Sequence, residues 1–404
     1  MTIKVLALAS YDSFLNAAKL IGEHFERADC TVDYALVKAR KKEQISQYQI
    51  DNAGLSKEIA WIDIKDLCNS GAISSYDIIL SCLEGASTRR LTHFLDGIPE
   101  KRPLTIAIQP GLVLRFPYDG YSMRSGYDLI WFNCQQDLDS YKNMCEAFGV
   151  SSDNARLFGV VSLLQKIERL PEAKDGPVIF FEQAIMPKTK TERSFLAWRL
   201  LQLALDNPSN LFLVKPRLSK DTISLHTTPY PIRDLLKEES NKLGKWPENL
   251  QITDAKIESL LSKASHCLTI SSTVAVEALH NKIPTAIISD FGAHDDYGLW
   301  YFYNSGLMKN FCELSFPFSF TMNETWSATY LHDPNVEIQS LIEEAIFLSK
   351  RNLMKAKYNR KAEFSNEFAQ FAISRIGEKR MLSRTFNDKK AIKNIFAYLS
   401  HFLK

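Results

Sequence analysis

Three hydroxyl residues follow an apolar run in the second half of the chain. Residues 267–270 predict a buried parallel strand, and residues 274–279, directly after the hydroxyl residues, predict a helix. A helix that begins here would direct unpaired N–H groups and the positive end of its dipole toward a phosphate. A carboxylate about one and a half turns into the helix would reach a ribose, so the segment predicts a sugar-nucleotide site, while simple helix capping explains it equally well. The candidate donor-binding residues here are Ser271, Ser272, Thr273 and Glu277.

Two cations end another predicted strand, at 211–215. Lys215 and Arg217 are separated by a proline, and ligands of parallel sheets bind at the carboxyl edge, where such strand ends lie. There the two cations would neutralise donor phosphates and stabilise the charge that develops on the leaving group, which gives them a catalytic role. Two solvated loop cations are the alternative.

Two further donor-site candidates are polar residues with weaker signals. Gln183 follows a predicted strand at 178–182, and its amide could bond to a sugar or a base. His226 follows the two cations along the chain and could lie near them, although a single histidine is more often structural.

The first half of the chain offers a carboxylate as a general base. Glu84 follows a predicted buried strand at 78–82 and precedes a glycine, which lets the chain turn close to a ligand. Inverting sugar transfer needs one base that takes the proton of the acceptor hydroxyl, and Glu84 is our candidate. An acid placed at a helix start by the dipole is an equally good explanation. Candidates for binding the acceptor are Gln109, Arg124 and Asp128, of which the last two could instead form an i,i+4 ion pair.

The elements that must position these residues alternate between short apolar strands and amphipathic helices. The predicted strands lie at 3–9, 31–37, 60–62, 78–82, 104–109, 129–133, 178–182, 211–215, 250–253, 267–270 and 285–289, and the predicted helices at 12–27, 86–96, 135–147, 191–206, 254–263 and 273–281. Such alternation predicts an α/β fold of two Rossmann-like domains, of GT-B type, with a helical C-terminal tail. We assign residues 1–170 to an acceptor domain, 171–337 to a donor domain and 338–404 to a basic helical tail.

Composition limits the class of protein. A chain of 404 residues with 45% hydrophobic and 24% charged residues is typical of a soluble two-domain protein, and no apolar run is long enough to span a membrane. Seven cysteines without C-x-x-C spacing indicate reduced thiols, so we expect a cytoplasmic protein. No G-x-G-x-x-G, Walker or H-E-x-x-H motif is present, and we expect an enzyme that needs no metal or other cofactor.

The end of the chain is basic. From residue 350 onward, fourteen Lys or Arg stand against four Asp or Glu, a balance of +10 in a chain whose net charge is +2. Residues 389–404 predict an amphipathic helix with one apolar stripe and flanking lysines. Two uses stay open: packing back on the first domain, which we favour, or lying on an anionic inner-membrane surface. We expect no nucleic-acid partner.

The motifs together resemble a little-characterised family of bacterial GT-B glycosyltransferase-like proteins. More loosely, the chain is similar to bacterial sialyltransferases of GT-B fold, in which an acid before glycine is the base and a Ser-Ser pair grips the phosphate of a CMP-sugar. By that resemblance Glu84 matches the base, residues 271–272 match the pair, and Lys215 stands where a histidine is expected. The S-S-T…E arrangement also resembles UDP-sugar transferases whose glutamate holds the ribose. The motifs are E-G at 84–85, Q-P-G at 109–111, R-S-G-Y-D at 124–128, E-Q…P…R at 182–193, K-P-R at 215–217, S-S-T-V-A-V-E-A at 271–278 and S-D-F-G at 289–292.

The resemblance implies a glycosyltransferase whose donor is a CMP-activated sugar of the sialic (nonulosonic) type and whose acceptor is a cell-surface glycan or a lipid-linked glycan. A UDP-sugar transferase is the alternative within the class. A sugar-nucleotide epimerase of the same fold is the alternative outside it, although it would need more acids in the cleft than the sequence offers.

Overall fold

The computed structural model describes residues 2–38, 45–55, 59–95, 98, 102–115, 117–217, 230–292 and 297–351. His226 and the helix predicted at 389–404 lie outside these residues. The strands are β1 (Lys4–Ala9), β2 (Thr31–Val37), β3 (Ala60–Ile62), β4 (Ile78–Cys82), β5 (Leu104–Ile108), β6 (Leu129–Phe132), β7 (Ala155–Leu157), β8 (Val178–Phe181), β9 (Phe212–Lys215), β10 (Leu250–Ile252), β11 (His266–Thr269), β12 (Thr285–Ile288) and β13 (Met308–Lys309). The helices are α1 (Asp12–Arg27), α2 (Gln47–Asn52), α3 (Ile64–Asn69), α4 (Gly85–Leu95), α5 (Pro117–Arg124), α6 (Gln135–Ala147), α7 (Lys190–Asp206), α8 (Ile232–Leu243), α9 (Ile257–Lys263), α10 (Thr273–His280), α11 (Glu324–Tyr330) and α12 (Pro334–Lys350).

The first seven strands form one parallel sheet. Its order is β3-β2-β1-β4-β5-β6-β7, and alternate residues of the central strands enter apolar clusters on its two faces. The chain reverses its direction of winding between β1 and β4. In such a sheet the crevice for a ligand opens at the carboxyl ends of these two strands.

The other six strands form a second parallel sheet with the order β10-β9-β8-β11-β12-β13. It is buried on both faces in the same way, and its winding reverses between β8 and β11. The α/β class with two Rossmann-like domains of GT-B type is therefore confirmed. The boundary predicted at residue 170 falls between the last strand of the first sheet and the first strand of the second.

Agreement with the predicted elements is closest where the hydrophobic period is long. The predicted helices at 12–27 and 135–147 have the bounds of α1 and α6. The strands β7 and β13 were not predicted, and neither were the helices α2, α3, α5, α8 and α11. A strand of two or three residues carries no reliable period, although β3, also of three residues, was predicted.

The helix α12 packs on the first domain. Its buried residues Ile338, Leu341 and Ile342 join the apolar cluster that contains β1, β4 and β5, and Arg156 Nη2 of β7 lies 2.6 Å from Glu344 Oε1. The separate tail that we predicted from residue 338 therefore begins inside α12, whose buried residues belong to the core of the first domain. Among the described residues, no helix is both long and apolar enough to cross a bilayer.

The segment between β5 and α5 reaches from the first domain into the second. Leu112 and Leu114 pack against the second domain's core, and the Trp300 indole N–H donates to the Leu114 carbonyl at 2.8 Å. Gly298 has φ +68°, and a Cβ there would lie 2.6 Å from Leu114 Cβ, so only glycine fits this contact. This segment holds the carboxyl edges of the two sheets next to each other.

Candidate active site

Glu84 lies between β4 and α4, at the switch point of the first sheet. Its backbone N–H donates to Ser10 Oγ at 3.2 Å, which joins it to the end of β1. Its carboxylate oxygen Oε1 accepts a hydrogen bond from Ser87 Oγ, one turn into α4. Its other oxygen, Oε2, is buried and has no hydrogen-bond partner among the described residues. One oxygen thus orients the group while the other can accept a proton.

Ser87, the group that orients Glu84, was not among the predicted site residues. The spacing of three residues at a helix start was the available signal, because side chains at i and i+3 share one face of a helix.

Gln109 directly follows β5, the strand next to β4. Its side chain is only 4% exposed, and neither the amide nitrogen nor the amide oxygen has a hydrogen-bond partner within the described part of the chain. A buried polar group without a partner costs about 1–3 kcal/mol of stability. Because folding gains nothing from this amide, Gln109 remains a strong candidate for contact with a ligand.

Arg124 has a different position from the predicted one. Its guanidinium is buried and donates to the carbonyl oxygens of Leu83, Ile108 and Gly120 at 3.0–3.2 Å. Burial lowers the pKa of Arg124, and the Tyr127 phenol and the nearby carboxylate of Glu84 oppose this effect. Instead of facing an acceptor, Arg124 ties α5 to the ends of β4 and β5.

Asp128 does not lie at the carboxyl edge. It precedes β6 and therefore stands at the amino edge of the sheet, where it accepts bonds of 2.8 and 3.0 Å from Arg102 and one of 2.8 Å from the Thr105 N–H. Its oxygens are committed to these partners, so the alternative ion pair with Arg124 is not formed either. We therefore withdraw Asp128 as an acceptor-binding candidate.

On the second sheet, a buried ion pair fixes the edge. Arg193 of α7 is 1% exposed, and its Nη1 lies 2.7 Å from Glu182 Oε1, directly after β8. The other oxygen of Glu182 accepts the backbone N–H of Arg217 at 3.0 Å. Arg193 also donates to four backbone carbonyls around the site, those of Gln183, Ala184, Pro187 and Tyr230.

Gln183 and Ser271 bind each other rather than open solvent. The Ser271 N–H donates to Gln183 Oε1 at 2.8 Å, and the Gln183 amide donates back to the Ser271 carbonyl. The Ser271 side chain is fully buried, and its hydroxyl donates to the Tyr297 carbonyl. These two predicted donor ligands therefore hold the ends of β8 and β11 together. Because their hydrogen-bonding groups are used inside the fold, they are not available to bind a phosphate.

The N-terminus of α10 keeps free bonding capacity. Ser272 is its N-cap and accepts the Val274 N–H at 3.3 Å. Thr273, the first helical residue, accepts the Leu112 N–H of the first domain through Oγ1 at 3.3 Å, which leaves its own hydroxyl proton to be donated. Glu277, one turn on, accepts from Ser162 Oγ at 2.6 Å, and burial raises the pKa of Glu277.

The two predicted cations lie at the carboxyl end of β9, in the sheet whose strand β11 leads into α10. Lys215 ends β9 half-buried, forms no ion pair with any described residue, and has its pKa lowered by burial. Arg217 is exposed, and its Nη2 lies 3.9 Å from Asp12 Oδ2, at the start of α1. Because Asp12 follows Ser10 by two residues and Ser10 accepts the Glu84 N–H, Arg217 and Glu84 contact the same segment of the first domain. No cluster of three metal-ligating side chains occurs in the described ranges.

Comparisons with known proteins are in accord with this architecture. A family model described as "Putative glycosyltransferase (DUF6716)" matches residues 5–345. No curated protein matches the chain.

Solved structures match at the level of the fold alone. The UDP-GlcNAc 2-epimerase from Methanocaldococcus jannaschii has 10% identity and a TM-score of 0.57 over 86% of this chain and 100% of that one. The Neisseria meningitidis UDP-GlcNAc 2-epimerase bound to UDP-GlcNAc has 14% identity, a TM-score of 0.52 and the same coverages. The S. aureus MnaA structure with UDP has 11% identity and a TM-score of 0.50, over 90% of this chain and 91% of that one.

Proposed function

The chain belongs to the DUF6716 glycosyltransferase family, and we propose that it transfers a sugar from a nucleotide donor to an acceptor hydroxyl with inversion at the anomeric carbon. One observation carries the proposal. At the carboxyl edge of the first sheet stands a buried carboxylate oxygen that has no hydrogen-bond partner among the described residues, and at the carboxyl edge of the second stand two cations and a helix N-terminus. A base and an anion-binding surface on two neighbouring sheet edges suit the two ends of a displacement reaction.

The proposed reaction is a single displacement. Glu84 Oε2 accepts the proton of the acceptor hydroxyl while that oxygen bonds to the anomeric carbon. The bond from the anomeric carbon to the phosphate oxygen breaks, and its electron pair leaves on the phosphate. Lys215, Arg217 and the N-terminus of α10 stabilise the resulting negative charge, so the reaction requires no metal in this proposal. Because the acceptor oxygen enters and the phosphate leaves on opposite faces of the sugar, the configuration at the anomeric carbon inverts.

We place a uridine diphosphate sugar first among donors and the CMP-linked nonulosonic acid second. Of the Ser-Ser pair expected to bind the phosphate of a CMP-sugar, Ser271 is not available, because its hydroxyl donates to the Tyr297 carbonyl. Two cations and a helix end match two phosphates better than one. Two structural neighbours hold UDP or UDP-GlcNAc, which supports the same order. Glu277 stays our predicted ribose ligand.

A calorimetric titration with UDP, CMP and GDP tests the donor. We expect UDP to bind most tightly, and a preference for CMP would restore the sialic-type donor. The acceptor is a glycan, free or lipid-linked, in this proposal.

Product analysis separates transfer from epimerisation. With UDP-GlcNAc as the probe, a transferase releases UDP faster when a sugar acceptor is added. Conversion of UDP-GlcNAc to an epimer without any acceptor would replace the transferase proposal with the epimerase alternative.

A further inference from the structure

We infer that Glu84 and Gln109 form one recognition site for a carbohydrate acceptor and bind it by hydrogen bonds to adjacent hydroxyl groups of a sugar ring. This inference rests on the proposed function and names the two side chains that select its glycan acceptor. It excludes a simple alcohol or a phosphate as the group that the first domain binds.

The two side chains belong to one place in the fold. Ser81 of β4 pairs with Ala107 of β5, so the ends of these strands, one residue later, lie side by side. The buried guanidinium of Arg124 joins the two ends through the Leu83 and Ile108 carbonyls.

The Gln109 amide and the Arg124 guanidinium both lie next to Gly120 of α5. A Cβ built on Gly120 would lie 3.6 Å from Gln109 Nε2 and 3.7 Å from Arg124 Nη1, so these nitrogen atoms border the same small space. The carboxylate of Glu84 is close enough to Arg124 to raise its pKa. The amide and the carboxylate therefore flank one buried cation.

The bonding capacity of the pair defines its ligand. Glu84 Oε2 only accepts hydrogen bonds, so the ligand must donate to it. The Gln109 amide has N–H donors and a carbonyl acceptor, all without a described partner, so the ligand must offer both an acceptor and a donor there. Neighbouring hydroxyls of a sugar ring offer all three at once. A phosphate offers mainly acceptors beside an anionic carboxylate, and a lone alcohol, which has one proton to donate to Glu84, leaves the Gln109 amide carbonyl unpaired.

The test compares Gln109→Met with Ser74→Ala. The methionine keeps the length of the side chain but removes its hydrogen bonds. The control removes another buried oxygen without a described partner, in the short turn Ala72–Ser75 away from the cleft. Binding is measured by saturation-transfer NMR with methyl glycosides of glucose, galactose and N-acetylglucosamine in the presence of UDP, and the thermal midpoint is measured in parallel.

We expect Gln109→Met to retain or raise the thermal midpoint and to weaken binding of the preferred methyl glycoside at least about tenfold, while Ser74→Ala leaves that binding unchanged. Unchanged glycoside affinity, with or without a lowered midpoint, would show that the amide is structural and overturn the inference. So would a wild-type protein that binds none of the glycosides, or binds propanol or inorganic phosphate equally well.

A second measurement needs no variant. Wild-type protein should bind methyl glycosides that lack one of two adjacent hydroxyls at least about tenfold more weakly than the parent sugar, and equal binding of all deoxy forms would also overturn the inference. The proposed function fails separately, by absence of UDP binding or of sugar transfer. A transferase whose acceptor KM is unaltered by Gln109→Met would keep the function and lose this site.

Discussion

The carboxyl edges of the two sheets use their polar residues in opposite ways. On the first sheet, Glu84 and Gln109 keep buried atoms for which the described residues supply no partner. On the second sheet, Glu182 is paired with the Arg193 side chain and the Arg217 N–H, and Gln183 and Ser271 are bound to each other and to backbone carbonyls. Bonding capacity there remains in the half-buried amine of Lys215 and at the start of α10.

This difference agrees with the division of work that we propose for the two domains. In that proposal the first edge selects the acceptor through Glu84 and Gln109, whose buried atoms have no partner among the described residues. The second edge is a frame that presents charge and backbone dipoles to the donor phosphates. The following experiments test this comparison, from the largest expected effect to the smallest.

Glu84→Gln tests the first edge as the place of chemistry. The amide retains the shape of the carboxylate but cannot accept the acceptor's proton, so we expect kcat to fall by about 10²–10⁴ with nearly constant donor affinity. Glu168→Gln, at a carboxylate whose side chain is 84% exposed, is the matched control and should have normal turnover. Near-normal turnover of Glu84→Gln would move the base elsewhere.

Arg193→Met tests the second edge as a frame. Removing the guanidinium leaves Glu182 buried without its counter-ion, and we expect a loss of about 3–5 kcal/mol in the free energy of unfolding in urea. Arg233→Met breaks the more exposed pair with Asp254 and should cost less than about 1 kcal/mol. Equal losses in the two variants would contradict the distinction between a buried frame and a solvated surface pair.

Lys215 gives the second edge a pH dependence. Burial lowers the pKa of its amine, so the positive charge is lost at a lower pH than for an exposed lysine. We expect UDP to bind best below that lowered pKa and to weaken by about 10- to 100-fold as pH rises through it. Lys215→Arg should make the profile flatter, whereas Lys166→Arg, at an 85% exposed side chain, should not. If the affinity of the wild-type protein for UDP rose with pH, this prediction would be contradicted.

Ser271→Ala and Thr273→Val separate the frame from the binding surface at neighbouring positions. The first removes a buried hydrogen bond and should cost about 1–3 kcal/mol of stability with unchanged UDP affinity. The second removes the hydroxyl proton available to a phosphate and should weaken UDP binding by about tenfold, and Thr273→Ser should restore it. The reverse pattern, with Ser271→Ala impaired in binding, would return the Ser-Ser phosphate grip to the site.

The amino-acid sequence determined the architecture and the residues that stand at the strand ends. Apolar runs, helical periods and the glycines and prolines that interrupt them are local signals, and they located Glu84, Gln109, Lys215 and Thr273 at carboxyl ends before any contact was known. Strands of three residues carry no reliable period, so β3 was predicted whereas β7 was missed.

Only the tertiary structure decided which of these polar groups are free. Gln183 forms hydrogen bonds with Ser271, 88 residues away along the chain. Arg124 donates to carbonyls at the ends of β4 and β5, and Asp128 accepts hydrogen bonds from Arg102. The apolar stripe of α12 likewise did not reveal that it covers the first sheet. Sequence shows that a residue can form a hydrogen bond or pack, but the fold determines whether that capacity is already used, because the partners come together only when distant segments meet.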